Sequence, residues 1–590
     1  MKTRKQIPEK YKWDLTPLCK NDEVFGKTLE KAKAYLPKLK KFEGKLKDKQ
    51  TILQYLKLDK EFSNLINPIA QYLHLKQDEE LSNPKYQLMG EKLSYFLNEV
   101  SIETSFASTE LYELSNEALD EIIADPDFAN YDRMFKDIKK DKKHKLSKAE
   151  EKLLAGMDFL GGFAQNMRNL SDVDFNFGEI EDEKGRKLPF SHSLYGKYMR
   201  SKDRTLRKNA FACMNGKFGQ SINMLANNYI NDVKANCYFA KVRKYKSVLE
   251  SELEGEEVTP KVYKTLIEMV HQNLPLLFDY FKIKQKELGL KEMYIYDTMT
   301  ATDKNTDKTY TYDEAIEIIK QALAPLGEEY VGLIQRAKEE RWIDVMPNKD
   351  KRSGAYESGI YGYNPYVLTN FEGDIDSIFT LAHELGHAMH SYFSNKNQPE
   401  EKVYYTIFLA EIASTTNEIL LINYFLQRAK TSEEKCALYN KLFDEVKGSI
   451  FRQTMFAEFE EKMHAKVEAG EGLNKDILCN EYYALNKQYF GFVKLTEETK
   501  YEWARIPHFF TCFYVYKYAT GMICAINFAN RILNKEKGAL ADYFKFLSAG
   551  NSASPIAILR KSHCDLEKQE TFDKAFDYLK QILGDWKKLN

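Results

Sequence analysis

Three of the chain's ten histidines fall in the middle of the stretch FTLAHELGHAMHSYF, residues 379 to 393, and a glutamate directly follows the first. From Ile375 to about Ser394 the apolar residues recur at helical spacing, so His383 and His387 leave the same face one turn apart. Two imidazoles on one face can converge on a single cation. Zinc accepts neutral imidazole nitrogen at about 2.0 to 2.1 Å. Glu384 lies about 100° further round the helix, where its carboxylate can take a proton from water held by the ion. The pattern is HExxH, and with histidine this scarce its chance occurrence anywhere in the chain is roughly a one-in-a-hundred event.

A catalytic zinc takes three protein ligands and keeps one position open. The metzincin arrangement would need glycine at His390 and histidine at Phe393, so that class is excluded. His390 shares the face of His383 but lies about 10.5 Å along the axis, which strains joint coordination; it reads better as a substrate contact or a group behind a ligand. Glu411, in LAEIASTTNEILLINYF, is the stronger candidate for third ligand. Its carboxylate would emerge from an apolar, small-residue face, where an acid is costly unless a cation meets it. Glu418, seven residues on, shares that face and suits orienting a ligand histidine.

A third segment, YEWARIPHFFTCFYVYKYATGMICA, spans residues 501 to 525. Pro507 breaks the chain before His508, and Tyr514, Tyr518 and Gly521 fall on one helical face. Histidine and tyrosine donors beside a zinc would hold the oxyanion that forms when water attacks a peptide carbonyl. The competing role for such an aromatic helix is core packing.

The elements that must position these groups read as helices. Ser147 with Glu150 and Thr311 with Glu314 make capping boxes. Thr259 reads as a cap before Pro260, with Val262, Leu266 and Met269 along one face. SGIYGYNPYVLTNFEGD, residues 358 to 374, is the clearest strand signal, and its Pro365 points to an edge strand. FNFGEIEDEKGRKLPF, residues 175 to 190, is turn-rich and marks the expected division into an N-terminal helical region, 1–190, and a catalytic region, 191–590. The lysine-rich run KDIKKDKKHK, residues 136 to 145, reads as a solvated turn without a function.

The chain has 590 residues, enough for several lobes around a sizeable core. Its 87 basic residues balance 88 acidic ones, which leaves no electrostatic footprint for nucleic acid or an anionic membrane. No apolar run of about 18 residues occurs, so no membrane span is expected. Eight scattered cysteines without a CxxC pair fit a reducing, cytoplasmic setting. The 36 Phe and 38 Tyr imply large interhelical contacts.

HELGHAMH, EIASTTNE beginning 28 residues after its first histidine, the preceding RSGAYESGIYGYNPYVLTNFEGD and the later PHFFTCFYVYKYATG together resemble the M3 metallopeptidases, in particular the oligoendopeptidase F branch. The thimet-like branch has Pro-Ser-Gln where this chain has Ala413, Ser414 and Thr415. The resemblance extends to LSDVDFNFGEI and the helices after it. It implies a mainly α, multi-helical, two-lobed gluzincin-like fold, with a deep central channel and a small β-sheet near the active site. It also implies one Zn²⁺ held by His383, His387 and Glu411, Glu384 as general base, and His508 and Tyr514 at the oxyanion with Tyr518 behind them. Gly354 and Tyr356 would belong to a groove backbone with which a substrate pairs by β-augmentation.

The expected function is therefore zinc-dependent hydrolysis of internal bonds in short unstructured peptides. A related helical metallocarboxypeptidase is the alternative within enzymes, and it would need to recognise a free C-terminal carboxylate; no arginine pair stands out in the site segments. A non-catalytic zinc-containing peptide binder is the alternative outside enzymes, against which the intact Glu384 speaks, since retaining zinc needs no base.

Overall fold

The computed structural model describes residues 1–155, 161–300 and 308–589, and in these the chain is mostly helical. Two apolar cores form. The smaller gathers side chains from Trp13 to Ile138, and the larger runs from Met167 to Trp586.

A three-stranded sheet lies at their seam. After the antiparallel hairpin β1 (Glu179–Glu181) and β2 (Lys187–Pro189), the short strands β3 (Ile343–Asp344), β4 (Tyr356–Ser358) and β5 (Tyr366–Leu368) associate in the order β3-β5-β4. Successive residues of a strand point to opposite faces. In β5 that alternation sends Tyr366 and Leu368 into the smaller core and Val367 into the larger one. The position of β5 corrects the edge-strand expectation. It is the central strand, parallel to β3 and antiparallel to β4, and Pro365 precedes it and so removes no ladder hydrogen bond. Ile180 and Phe190, in and beside the hairpin at residues 179 to 189, pack into the larger core.

The expected capping boxes form: Glu150 N–H reaches Ser147 Oγ at 3.4 Å and Glu314 N–H reaches Thr311 Oγ1 at 3.2 Å. Pro260 opens its helix and Val262, Leu266 and Met269 are buried, but the Thr259 hydroxyl donates to Glu567 at 2.6 Å instead of capping. The lysine-rich run is helical rather than a solvated turn. It occupies the helix Asp132–Asp141 and a 3-10 turn, Lys142–His144, and ties the surface through pairs such as Lys143–Glu254 at 2.9 Å. No helix among the described residues is long and apolar enough to cross a membrane.

Candidate metal centre

The HExxH segment lies in the helix Ile375–Asn397. Asp374 caps it by accepting from Ser377 N–H at 2.7 Å, and Ile378, Leu381, Ala382, Leu385, Met389 and Phe393 bury its apolar stripe. Glu411 lies in the next long helix, Ile407–Arg428. The two helices cross at Gly386, the glycine within HELGH. A Cβ there would stand 2.5 Å from Ser414 Cα and 2.8 Å from Ala413 O, so only glycine permits this approach. Asn417 locks the crossing by donating to Ala382 O at 3.0 Å, and Tyr330 donates to Asn417 in turn at 2.9 Å.

The crossing brings three ligand atoms together. His383 Nε2 and His387 Nε2 are 3.2 Å apart, and Glu411 Oε2 is 3.3 Å from the first and 3.5 Å from the second. Tetrahedral bonds of about 2.0 to 2.1 Å require ligand-to-ligand edges of about 3.3 to 3.4 Å, so this triangle has the size a zinc ion needs. His383, His387 and Glu411 form the one such group of histidine, cysteine or acid side chains among the described residues.

Polar contacts hold the triangle's orientation. His383 Nδ1 faces Glu418 Oε1 at 3.4 Å, which directs the proton to Nδ1 and leaves Nε2 as a lone pair toward the centre. Ser414 Oγ donates to Glu411 Oε2 at 3.2 Å. Burial would lower the His383 pKa, but Glu411 and Glu418 reverse this and raise it well above the usual range. Glu411 is the mirror case: burial favours its neutral form, and the two imidazoles hold it far below the ordinary carboxylate range. A site that stabilises positive charge this strongly suits a divalent ion.

Glu384 is outside the triangle and only 7% exposed. Burial raises its pKa, with Glu411 and Glu418 adding to the effect against the two histidines. Together with His383 and Glu418 it lines a cleft of about 550 Å³. Gly354, in a left-handed conformation at φ 82°, lines the same cleft with Ala355 and Asn370.

His508, Tyr514 and Tyr518 form a second cluster, with Tyr518 edge-on to His508 at 6.0 Å and to Tyr514 at 5.4 Å. The expected single helical face is not the reason they meet. The helix starts at Tyr516, so Tyr514 precedes it, in a turn where Phe513 adopts φ 47° and donates its N–H to the buried Glu460 at 2.6 Å. A bulky residue in that conformation is strained, and such strain collects at functional sites. The cluster adjoins the triangle through the helix Tyr516–Leu533, since a Cβ on Gly521 would lie 3.8 Å from Glu411 Cβ.

Two further candidates have their side chains engaged inside the protein. His390 is fully buried, stacked on Tyr405 at 3.6 Å, with its pKa pushed down to about 3 by burial; it has no surface for a substrate. Tyr356 donates to Asp78 at 2.6 Å and stacks on His74, which ties β4 to the smaller lobe. One residue escaped the sequence reading: Glu357 on β4 is half-buried with its carboxyl Oε1 enclosed, and the loss of solvent lifts its pKa to about 7. Its only signal was an acid inside a strand-like stretch.

The chain matches the model of peptidase family M3 over residues 197–578 and that of oligopeptidase F over residues 110–177. It therefore belongs to peptidase family M3, a family of metallopeptidases. Among its relatives, the group B oligopeptidase PepB of Streptococcus agalactiae is 37% identical, over 98% of this chain and 97% of that one. Oligopeptidase PepF of Bacillus subtilis is 35% identical, over 99% of this chain and 88% of its own. The crystal structure of oligoendopeptidase-F from Enterococcus faecium superposes with a TM-score of 0.73 at 31% identity, over 96% of this chain and 99% of that one.

Proposed function

We propose that this protein is a zinc-dependent endopeptidase that hydrolyses internal bonds of short, unstructured oligopeptides. The observation that carries this reading is the ligand triangle, whose edges of 3.2, 3.3 and 3.5 Å match a tetrahedral zinc site, with Glu384 beside it in the same cleft. The names of the similar oligopeptidases support the same substrate class.

His383, His387 and Glu411 would hold the ion. When bound, zinc supplies Lewis acidity at the scissile carbonyl and makes water acidic enough to react near neutral pH. Glu384 accepts the proton of the attacking water at its carboxylate and passes it to the leaving amide nitrogen, for which a raised pKa is suited. His508 and Tyr514 donate to the developing oxyanion, with Tyr518 packed behind them. Gly354 offers backbone to the extended substrate along the cleft. The division of labour assigns this chemistry to residues 191–590, and a cytoplasmic location fits the scattered thiols.

A quenched fluorescent peptide of about ten residues, blocked at both ends, tests the reading. Internal cleavage is expected to vanish on chelation and return with zinc. No cleavage by protein with zinc shown to be bound would sink it. Glu418→Gln is expected to weaken zinc binding by about 10- to 100-fold, since the amide orients His383 less firmly. Competition with a chromophoric chelator measures this, and an unchanged affinity would remove Glu418 from the site.

A further inference from the structure

His508 also lines a second cavity, of about 450 Å³, whose walls carry four cations, Arg200, Lys447, Arg452 and Arg505, against three carboxylates, Asp444, Glu445 and Glu502. Its centrepiece is a pair of arginines that share one acid. Arg452 and Arg505 each donate one Nη2 to Glu502 Oε1 at 2.8 Å, and Tyr482 donates to the other oxygen, Oε2, at 2.9 Å. Glu502 is 3% exposed and accepts all three of these bonds, so two guanidinium groups share a single carboxylate.

The surplus is not discharged elsewhere. Among the described residues neither guanidinium has another hydrogen-bond acceptor, and Arg505 Nε is buried without a partner. Each arginine packs a ring, Arg452 over Phe456 and Arg505 over Tyr195, which fixes its plane. Their side chains keep 23% and 18% of their surface, on residues that line the cavity. An unpaired buried donor on a charged group is costly, and a planar fork of N–H groups matches a carboxylate. Arg452 ends a π-helical turn, Lys447–Arg452, a local irregularity that recurs at functional sites. Arg505 stands three residues before His508 in the chain.

We propose that this cavity is a subsite that binds a carboxylate of the peptide substrate through Arg452 and Arg505. The proposal rests on the peptidase reading and on the oxyanion role proposed above for His508, which lines this cavity. Two substrate groups carry the required chemistry, a free C-terminus and an acidic side chain. Arg452 and Arg505 lie in separate segments of the chain and become a pair only through Glu502. Here the pair serves an endopeptidase by fixing where along a short peptide cleavage falls.

Two peptide pairs separate the sources. The first differs only in a C-terminal carboxylate against an amide and contains no acidic side chain; the second is amidated and differs only in Glu against Gln. In the wild-type holoenzyme one pair is expected to show kcat/KM at least about tenfold higher for the carboxylate, the size of effect a charged hydrogen bond gives. Preference in the first pair identifies the C-terminus, and in the second the side chain. Arg505→Gln should bring that ratio to about one, and Arg505→Lys should restore part of it, since charge returns without the fork. Ratios near one for both pairs in the wild-type enzyme would overturn the proposal without any variant, as would a ratio that survives Arg505→Gln. Absence of cleavage of all four peptides would instead count against the peptidase reading.

Discussion

Glu384→Gln is expected to lower kcat by about 10²- to 10⁴-fold while zinc stays bound at one ion per chain. The side chains are nearly the same shape, so the packing of a residue only 7% exposed is preserved. What changes is the capacity to accept a proton. The carboxylate lies outside the ligand triangle of His383, His387 and Glu411, so its loss removes no metal ligand. Burial holds its pKa above the ordinary carboxylate range, which brings it nearer to that of a group that must both take and return a proton. Measuring kcat together with zinc content by elemental analysis checks both halves. A near-normal rate would move the base to another residue; a loss of zinc would show that Glu384 supports the ion rather than the chemistry.

The elements that carry local rules are legible in the sequence. The apolar stripe from Ile375 onward defines the motif helix, and the i, i+4 spacing of His383 and His387 delivers the convergence seen at 3.2 Å. Glu411 could be found because an acid on a small-residue face requires a cation. The contacts that depend on partners distant in sequence were not legible. His390 continues the periodic face of His383, yet Tyr405 covers it, and no spacing rule announces that stack. Tyr514 meets Tyr518 through a strained turn at Phe513 held by Glu460, not through a shared helix face. Arg505 stood within a segment read for its aromatic residues; its meaning comes only from Arg452 and Glu502 together. The central place of β5 likewise depends on β3, too short at two residues to leave a periodic signal.

Gly386→Ala is expected to weaken zinc binding by at least about 10- to 100-fold and to destabilise the fold by about 1 to 3 kcal/mol. The added methyl would meet Ser414 Cα at 2.5 Å and Ser414 N at 2.8 Å, and backbone atoms cannot rotate aside. Carbon atoms in contact settle at about 3.5 to 4.0 Å, so the helices must part by something on the order of 1 Å. A metal site tolerates about 0.2 Å in its ligand distances. His387 adjoins Gly386 in the chain, and the carboxylate of Glu411 is held by the very Ser414 that would be displaced. The separation therefore falls on the edges joining the two histidines to Glu411, now 3.3 and 3.5 Å. Chelator competition gives the zinc affinity, and thermal melts of the zinc-free protein give the packing cost independently of the ion. A variant that melts lower but binds zinc as tightly as the parent would mean that the crossing supports the fold without setting the ligand geometry. Loss of both would make the glycine inside HELGH as much a part of the metal centre as the histidines beside it.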